Sequence, residues 1–199
     1  SVGRDPVFGG AGERPLAVEL RFGRRHDRPV TLELGDGREL RFAGRLDRGA
    51  ARPGGARVID YKTGGGSAEQ KLLKRRLGVQ LPVYQLAVRR IMGEEYGQVT
   101  ALYRLVTRKG DFRDLPLPDD EAAARTRLAA LLDEVLALVD AGVFPRTSAE
   151  RCEYCDIAYA CGFSAWARDR KREHERLAAL VRLQTEGPVE TPRGTGAAR

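Results

Sequence analysis

The chain carries 199 residues, with 35 Lys and Arg against 28 Asp and Glu, for a formal charge of +7 and a pI near 9.7. That length is enough to bury a real core and suggests one domain with appendages. No apolar run approaches the roughly 18 residues of a membrane span, and no secretory leader is visible, so the expected setting is the cytoplasm. The basic balance suits a polyanionic partner, nucleic acid foremost, and equally suits an arginine-rich solvated surface. The chain starts at Ser1 and ends in a polar tail; the expectation is a piece of a longer protein.

Residues 1–15 are rich in Gly, Arg and Pro and read as a flexible lead-in. "LAVELRF" (16–22) alternates, with Val18, Leu20 and Phe22 on one side and Glu19 on the other, as a strand does. "VTLELGDGRELRFAGRLDR" (30–48) holds two alternating runs around Asp36-Gly37, a hairpin signal. "ARPGGA" (51–56) breaks the chain and "RVIDYK" (57–62) is a short strand, so the first sixty residues form a mostly antiparallel meander. After Gly66 the period changes. "SAEQKLLKRRLG" (67–78) and "LPVYQLAVRRIMG" (81–93) read as helices, with Pro82 tolerated in a first turn. "VTALYRLVT" (99–107) is a strand with "RKGD" turning behind it. Residues 118–142 form a helix that Asp119 or Asp120 caps and Gly142 stops. A charged helix spans about 164–185, and the tail from about 186 is too polar to order.

"VIDYKTGGG" (58–66) carries the chemistry. Side chains two apart in a strand share a face, so Asp60 and Lys62 point together with Val58, while Ile59 and Tyr61 point away. In the preceding run Arg41, Ala43, Arg45 and Asp47 share a face opposite Phe42 and Leu46. Pairing that run with 57–62 brings Asp47 beside Asp60. Two carboxylates and an ammonium at one strand end suit a hard divalent cation, Mg²⁺ or Mn²⁺, and phosphodiester hydrolysis. The same D-x-K pattern is also that of a plain surface salt bridge. Glu19 lies on a strand that can neighbour the site, and it reads equally as a solvent-facing residue. His26, between Arg25 and Asp27, reads as surface.

All three cysteines fall within ten residues, at Cys152, Cys155 and Cys161. The C-x₂-C-x₅-C spacing reads as metal or cluster ligation rather than as a disulfide framework. Zinc and cubane iron–sulfur sites both want four ligands, and neither His26 nor His174 has a claim to the fourth place.

"GRLDR" (44–48), "VIDYKTG" (58–64) and "QLPVY" (80–84), in this order and spacing, resemble the PD-(D/E)XK nuclease superfamily, in particular the RecB-type nuclease domain of AddB-like helicase–nuclease proteins. The resemblance covers roughly 16–165. It implies an α/β, restriction-endonuclease-like core, a central mixed sheet flanked by helices. It implies that Asp47 and Asp60 ligate Mg²⁺ or Mn²⁺, joined by the Tyr61 carbonyl, that Lys62 is the catalytic lysine, and that Gln80 and Tyr84 form a Q-x-x-x-Y motif beside the site. It further implies that Cys152, Cys155 and Cys161 hold a 4Fe-4S cluster with a distant upstream cysteine, stapling the end of the domain to its start. That cysteine, and an upstream helix with a histidine metal ligand, have no counterpart in this sequence and are expected before Ser1. The implied activity is DNA hydrolysis, as an exonuclease on ends produced by a helicase partner or an upstream helicase region during break repair. The competing expectation is a non-catalytic DNA-binding or scaffolding module held by the cluster; a third is a zinc domain with a chance D-x-K.

No phosphate-binding G-x-x-x-x-G-K-[ST] loop is present, because "GGGSAEQK" (64–71) has the wrong spacing. No H-E-x-x-H pattern suggests a zinc hydrolase. The basic runs "KLLKRR" (71–76) and "RDRKRE" (168–173) read as phosphate contacts or as solvated helix faces.

Overall fold

A computed structural model describes residues 12–25, 27–93, 97–144, 155–157, 160 and 174–188. Five strands form the main sheet: β1 (Arg14–Phe22), β4 (Gly44–Arg52), β5 (Gly55–Lys62), β6 (Gln98–Leu105) and β7 (Asp114–Pro116), in the order β1-β4-β5-β6-β7. β2 (Val30–Glu33) and β3 (Glu39–Phe42) pair as a separate antiparallel ribbon. The helices are α1 (Ser67–Lys74), α2 (Gln80–Met92), α3 (Glu121–Asp140) and α4 (Ala178–Glu186). β1, β4 and β5 run antiparallel, β5 and β6 parallel, and β6 and β7 antiparallel. The sheet is therefore mixed and flanked by helices, as expected.

The hairpin joining β4 to β5 turns on Pro53-Gly54. Proline pre-sets the first turn position and Gly54, at φ +76°, takes the left-handed second one. Its register runs from Arg52↔Gly55 to Arg48↔Ile59. A parallel partner cannot be reached by a tight turn, so α1 and α2 form the crossover from β5 to β6. α2 buries Leu81, Pro82, Val83, Tyr84, Gln85, Ala87 and Val88. With Ala56, Val58, Val99, Ala101 and Leu128 these make the main core. Inside it the Gln85 amide donates to the Val99 carbonyl at 2.9 Å, so this buried polar group is not left bare on that side. Asp120 caps α3 by accepting from the Ala123 amide at 2.8 Å, and Gly142, at φ +65°, follows its end.

Three expectations are corrected, and one strand is added. Val18 does not share a buried side with Leu20 and Phe22; it is 67% exposed. The register shifts between Pro15 and Ala17, and Glu19 sits at φ +52°, so alternation fails along this stretch. The run 38–48 is not one strand either. It breaks at Ala43, with β3 in the ribbon and β4 in the main sheet, so Arg41 and Ala43 do not share a strand face with Arg45 and Asp47. Gly44, which opens β4, leaves room for the Phe22 ring across the β1–β4 pair: a Cβ there would lie 2.8 Å from it. β7 adds a strand that the sequence pattern does not announce; three residues are too few to show a period. The charged helix expected over about 164–185 does not run unbroken through its described part: His174 is extended, and its Nδ1 accepts from the Arg176 amide at 3.3 Å. A short 3-10 turn and α4 follow, and the helix reaches Glu186. Its expected beginning, the basic run 168–173, and most of the expected tail lie outside the described residues.

Candidate active site

The site forms where β5 ends. Val58, Asp60 and Lys62 share the face that carries the core under α2, and the two polar residues extend that face beyond the apolar part. Asp60 is 2% exposed. The ladder between β4 and β5 stops at Arg48↔Ile59, which leaves Asp47 next in line with Asp60. Here a side chain takes over from the backbone: the Tyr61 amide donates to Asp47 Oδ2 at 2.8 Å. That bond holds Asp47 against β5 and satisfies an amide the opening ladder would leave without a partner. Tyr61 itself turns to the other side of the sheet, where its hydroxyl accepts from Arg48 Nη1 at 3.3 Å.

Gln80, the first residue of α2, ties the site together. Its Nε2 donates to Asp60 Oδ1 at 2.8 Å and to the Tyr84 hydroxyl at 3.1 Å, and its Oε1 accepts from Lys62 Nζ at 3.1 Å. One amide thus presents its donor side to a carboxylate and its acceptor side to an ammonium, which fixes its orientation. Tyr84, one helical turn on, donates to the Arg45 carbonyl at 2.9 Å and meets the Phe22 ring edge-on at 6.1 Å between centroids. Gln80 and Tyr84 do stand beside the acids, as the spacing suggested. Tyr84, however, is engaged with the main chain of β4, and this suits fixing the helix to the strand. Burial pushes its phenol above the usual range, with the Gln80 hydrogen bond pulling the other way.

Lys62 Nζ lies 2.6 Å from Asp60 Oδ2 and 5.1 Å from the centroid of the Tyr103 ring. Tyr103 stands directly across from Asp60 in the parallel register, so the lysine is held between a carboxylate, an amide oxygen and an aromatic face. Burial raises the Asp60 carboxyl above its ordinary pKa; Lys62 opposes that shift, while the charges of Asp47 and Glu69 add to it. Burial likewise pushes the Tyr103 phenol up. Tyr103 and Glu69 escaped the sequence reading because their place beside Asp60 depends on the crossover and on the register of β6. Glu19 does come near. Its Oε2 pairs with Arg45 Nη1 at 2.8 Å, and it follows Val18↔Arg48 in the β1–β4 register, opposite Asp47.

The donors present fit a hard divalent cation. Asp60 Oδ2 is shielded from solvent and makes no hydrogen bond, its close partner being the Lys62 ammonium. Asp47 commits Oδ2 to the Tyr61 amide and keeps its other oxygen. Both are hard oxygen ligands of the kind Mg²⁺ and Mn²⁺ prefer. No group of three His, Cys, Asp or Glu side chains among the described residues forms a complete cation cage, so these two carboxylates need a main-chain oxygen, such as that of Tyr61, or a further group.

Among the cysteines, Cys155 is described and is an exposed free thiol. Cys152 and Cys161 lie outside the described residues, as does His26, so the cluster staple rests on spacing. The run 71–76 lies on and just beyond α1, exposed apart from the half-buried Leu73. Among the described residues no helix is long and apolar enough to cross a membrane.

Two comparisons bear on this geometry. A curated ATP-dependent helicase/deoxyribonuclease component from Moorella thermoacetica is 37% identical over 139 residues, a match covering 65% of this chain. The chain spans about 12% of that relative's length. The family model of the PD-(D/E)XK nuclease superfamily matches residues 5–162, and this stretch contains Asp47, Asp60, Lys62, Gln80 and Tyr84. With most of its length accounted for by that match and its acids and lysine gathered at one strand end, the chain belongs to the PD-(D/E)XK nuclease superfamily.

Proposed function

We propose that this chain is the nuclease domain of a helicase–nuclease assembly and hydrolyses DNA phosphodiester bonds with Mg²⁺ or Mn²⁺, acting as an exonuclease on ends that a helicase partner or an upstream helicase region supplies. The observation that carries the reading is the constellation at the end of β5: Asp60 and Lys62 bridged by Gln80, with Asp47 held beside them by the Tyr61 amide. Asp47, Asp60 and the Tyr61 carbonyl would hold the cation, whose contribution is Lewis acidity at the phosphoryl oxygen and at the attacking water. Lys62 orients the water and offsets charge developing at phosphorus, from a position that Gln80 and Tyr103 restrict. Gln80 keeps Asp60 and Lys62 in mutual register. Tyr84 anchors the start of α2 to β4, so that Gln80 cannot drift. The basic surface supplies affinity, and binding weakens as salt rises.

Cys152, Cys155 and Cys161 supply three of the four thiolates of a 4Fe-4S cluster, the fourth coming from outside this sequence; the support is their spacing. The domain body runs over 16–165. A second reading, a DNA-binding or scaffolding module without catalysis, is favoured by the two-carboxylate donor set, which by itself leaves the cation short of protein side chains.

A cleavage assay on linear DNA with Mg²⁺ or Mn²⁺ separates them. Asp60→Ala and Lys62→Ala, folded as judged by circular dichroism, each lose activity by roughly 100-fold or more, the scale of a lost charge-stabilising group. A folded parent in its full natural length that cleaves nothing in either metal leaves the module reading.

A further inference from the structure

The loop between β6 and β7 touches the site from the side and has no part in the constellation just described. It starts one hydrogen bond from the lysine, the Val106 amide donating to the Lys62 carbonyl at 3.0 Å. The Thr107 hydroxyl donates to the Thr63 carbonyl at 3.1 Å, and Arg113 Nη2 reaches the Gly65 carbonyl at 3.5 Å. The glycines that follow Lys62 make this contact close. A Cβ on Gly110 would lie 3.0 Å from the Gly64 carbonyl oxygen, and one on Gly65 would meet the stem of Lys109 at 3.4 Å. The base of the loop is clamped by Arg104, which grips Asp114 with two hydrogen bonds of 2.8 Å.

The tip of this rigid loop is unusual. Asp111 and Phe112 are successive left-handed residues, at φ +56° and +48°. Of the four non-glycine residues with positive φ among those described, Phe112 is the one aromatic. A bulky side chain is disfavoured there and glycine is not. The strain wins no core packing, because Phe112 is 65% exposed. Arg108 and Lys109, two exposed residues of the same loop, have no side-chain hydrogen bond or ion pair among the described residues. Asp111 offsets one charge, and Arg113 is occupied in fastening the loop to Gly65 and Gly110. An exposed ring beside free cations is the composition of a single-strand platform, in which bases stack on an aromatic face and phosphates follow the positive charge. A duplex hides the faces of its internal bases, so an isolated ring gains little from it.

We infer that the 107–113 loop is a single-stranded DNA platform, with Phe112 stacking on an unpaired base and Arg108 and Lys109 holding the phosphates that lead to Asp60. This rests on the nuclease reading and names its preferred substrate, a single-stranded end rather than a closed duplex.

The test is equilibrium binding of a labelled oligo-dT and of a blunt duplex of equal length, by fluorescence anisotropy in EDTA, to the protein in its full natural length. Phe112→Ala weakens oligo-dT binding by roughly 5- to 150-fold, the range for one base–aromatic stack, and changes duplex binding less than twofold. Phe112→Trp keeps the affinity. Phe112→Gly loses it without lowering the melting temperature, which separates lost stacking from a damaged fold. Arg108→Gln and Lys109→Gln each reduce the slope of log affinity against log salt on the single strand by about 0.7. Unchanged oligo-dT binding by Phe112→Ala, or an equal loss on the blunt duplex, overturns the assignment. A parent that binds oligo-dT through Phe112 but cleaves nothing in Mg²⁺ or Mn²⁺ keeps the loop as a single-strand binding surface and sinks the nuclease reading, and with it the loop's role in supplying substrate. A parent that cleaves, with Phe112→Ala binding normally, does the reverse.

Discussion

The end of β5 and the loop behind β6 lie within hydrogen-bond reach of each other and are built on opposite plans. At the strand end the polar groups are buried or half-buried and mostly paired, and their positions follow from regular secondary structure: a hairpin register, a parallel ladder and the first turn of a helix. In the loop the backbone is strained, while an aromatic ring and two cations face solvent. Groups that must meet a reacting centre within a fraction of an ångström belong on rigid, satisfied elements. Groups that meet a mobile polymer need exposure instead, and strain is tolerated where the surrounding bonds hold it.

Gln80→Ala is the most forceful way to break this contrast. It strips the buried Asp60 Oδ1 of its donor and Lys62 of its acceptor, so the strand end is left unsatisfied. We expect a loss of about 1–3 kcal/mol in stability, the cost of orphaning a buried polar group, together with a large fall in DNA cleavage. Urea unfolding and a rate assay on one preparation check both. A variant of full stability and full activity would mean that the buried network is incidental.

Gly110→Ala attacks the loop. The added methyl lies 2.5 Å from the Leu105 Cβ and 3.0 Å from the Gly64 carbonyl oxygen, so the loop must lift away from the strand end. Overpacking of this kind costs about 1–3 kcal/mol. Single-strand affinity should fall by more than the rate at saturating DNA. If both fall together, loop and strand end act as one unit and the distinction between them is wrong.

The finest test is pH. Burial raises the Asp60 carboxyl above its unfolded value of 3.8, so the metal-free folded state holds that proton more tightly than the unfolded one. The associated stability is fully present below 3.8 and is lost as pH rises through the folded pKa. In metal-free protein Asp60→Asn flattens this part of the stability–pH curve. An unchanged curve would mean that Asp60 is not held in a protonation-sensitive setting.

How far the sequence foretold this arrangement depends on the range of the contacts involved. The common face of Asp60 and Lys62 follows from strand geometry alone, and Asp47 arrives beside them through one hairpin whose turn is written as Pro-Gly. Gln80 and Tyr84 were legible as neighbours one helical turn apart, but the amide's double contact with acid and lysine was not. Tyr103 was invisible because its place under Lys62 follows from a parallel register reached through two helices. Val18 misled because a bulge and a left-handed Glu19 cancel the period-two rule, which assumes an unbroken strand. Phe112 looked like any loop residue, since φ cannot be read from composition.

The parallel pairing of β5 with β6 also sets an order of events. The β4–β5 hairpin closes over a two-residue turn, so Asp47 and Asp60 can meet on the microsecond scale typical of hairpins, about 1–10 μs. The aromatic ring beneath Lys62 and the 107–113 loop arrive only after the whole crossover has been synthesised and docked, a non-local and slower step. During synthesis, then, both strands of the β4–β5 hairpin, with Asp47 and Asp60 on them, are complete before β6 and the loop behind it exist, so the two acids can become neighbours ahead of the ring and the loop that later flank them.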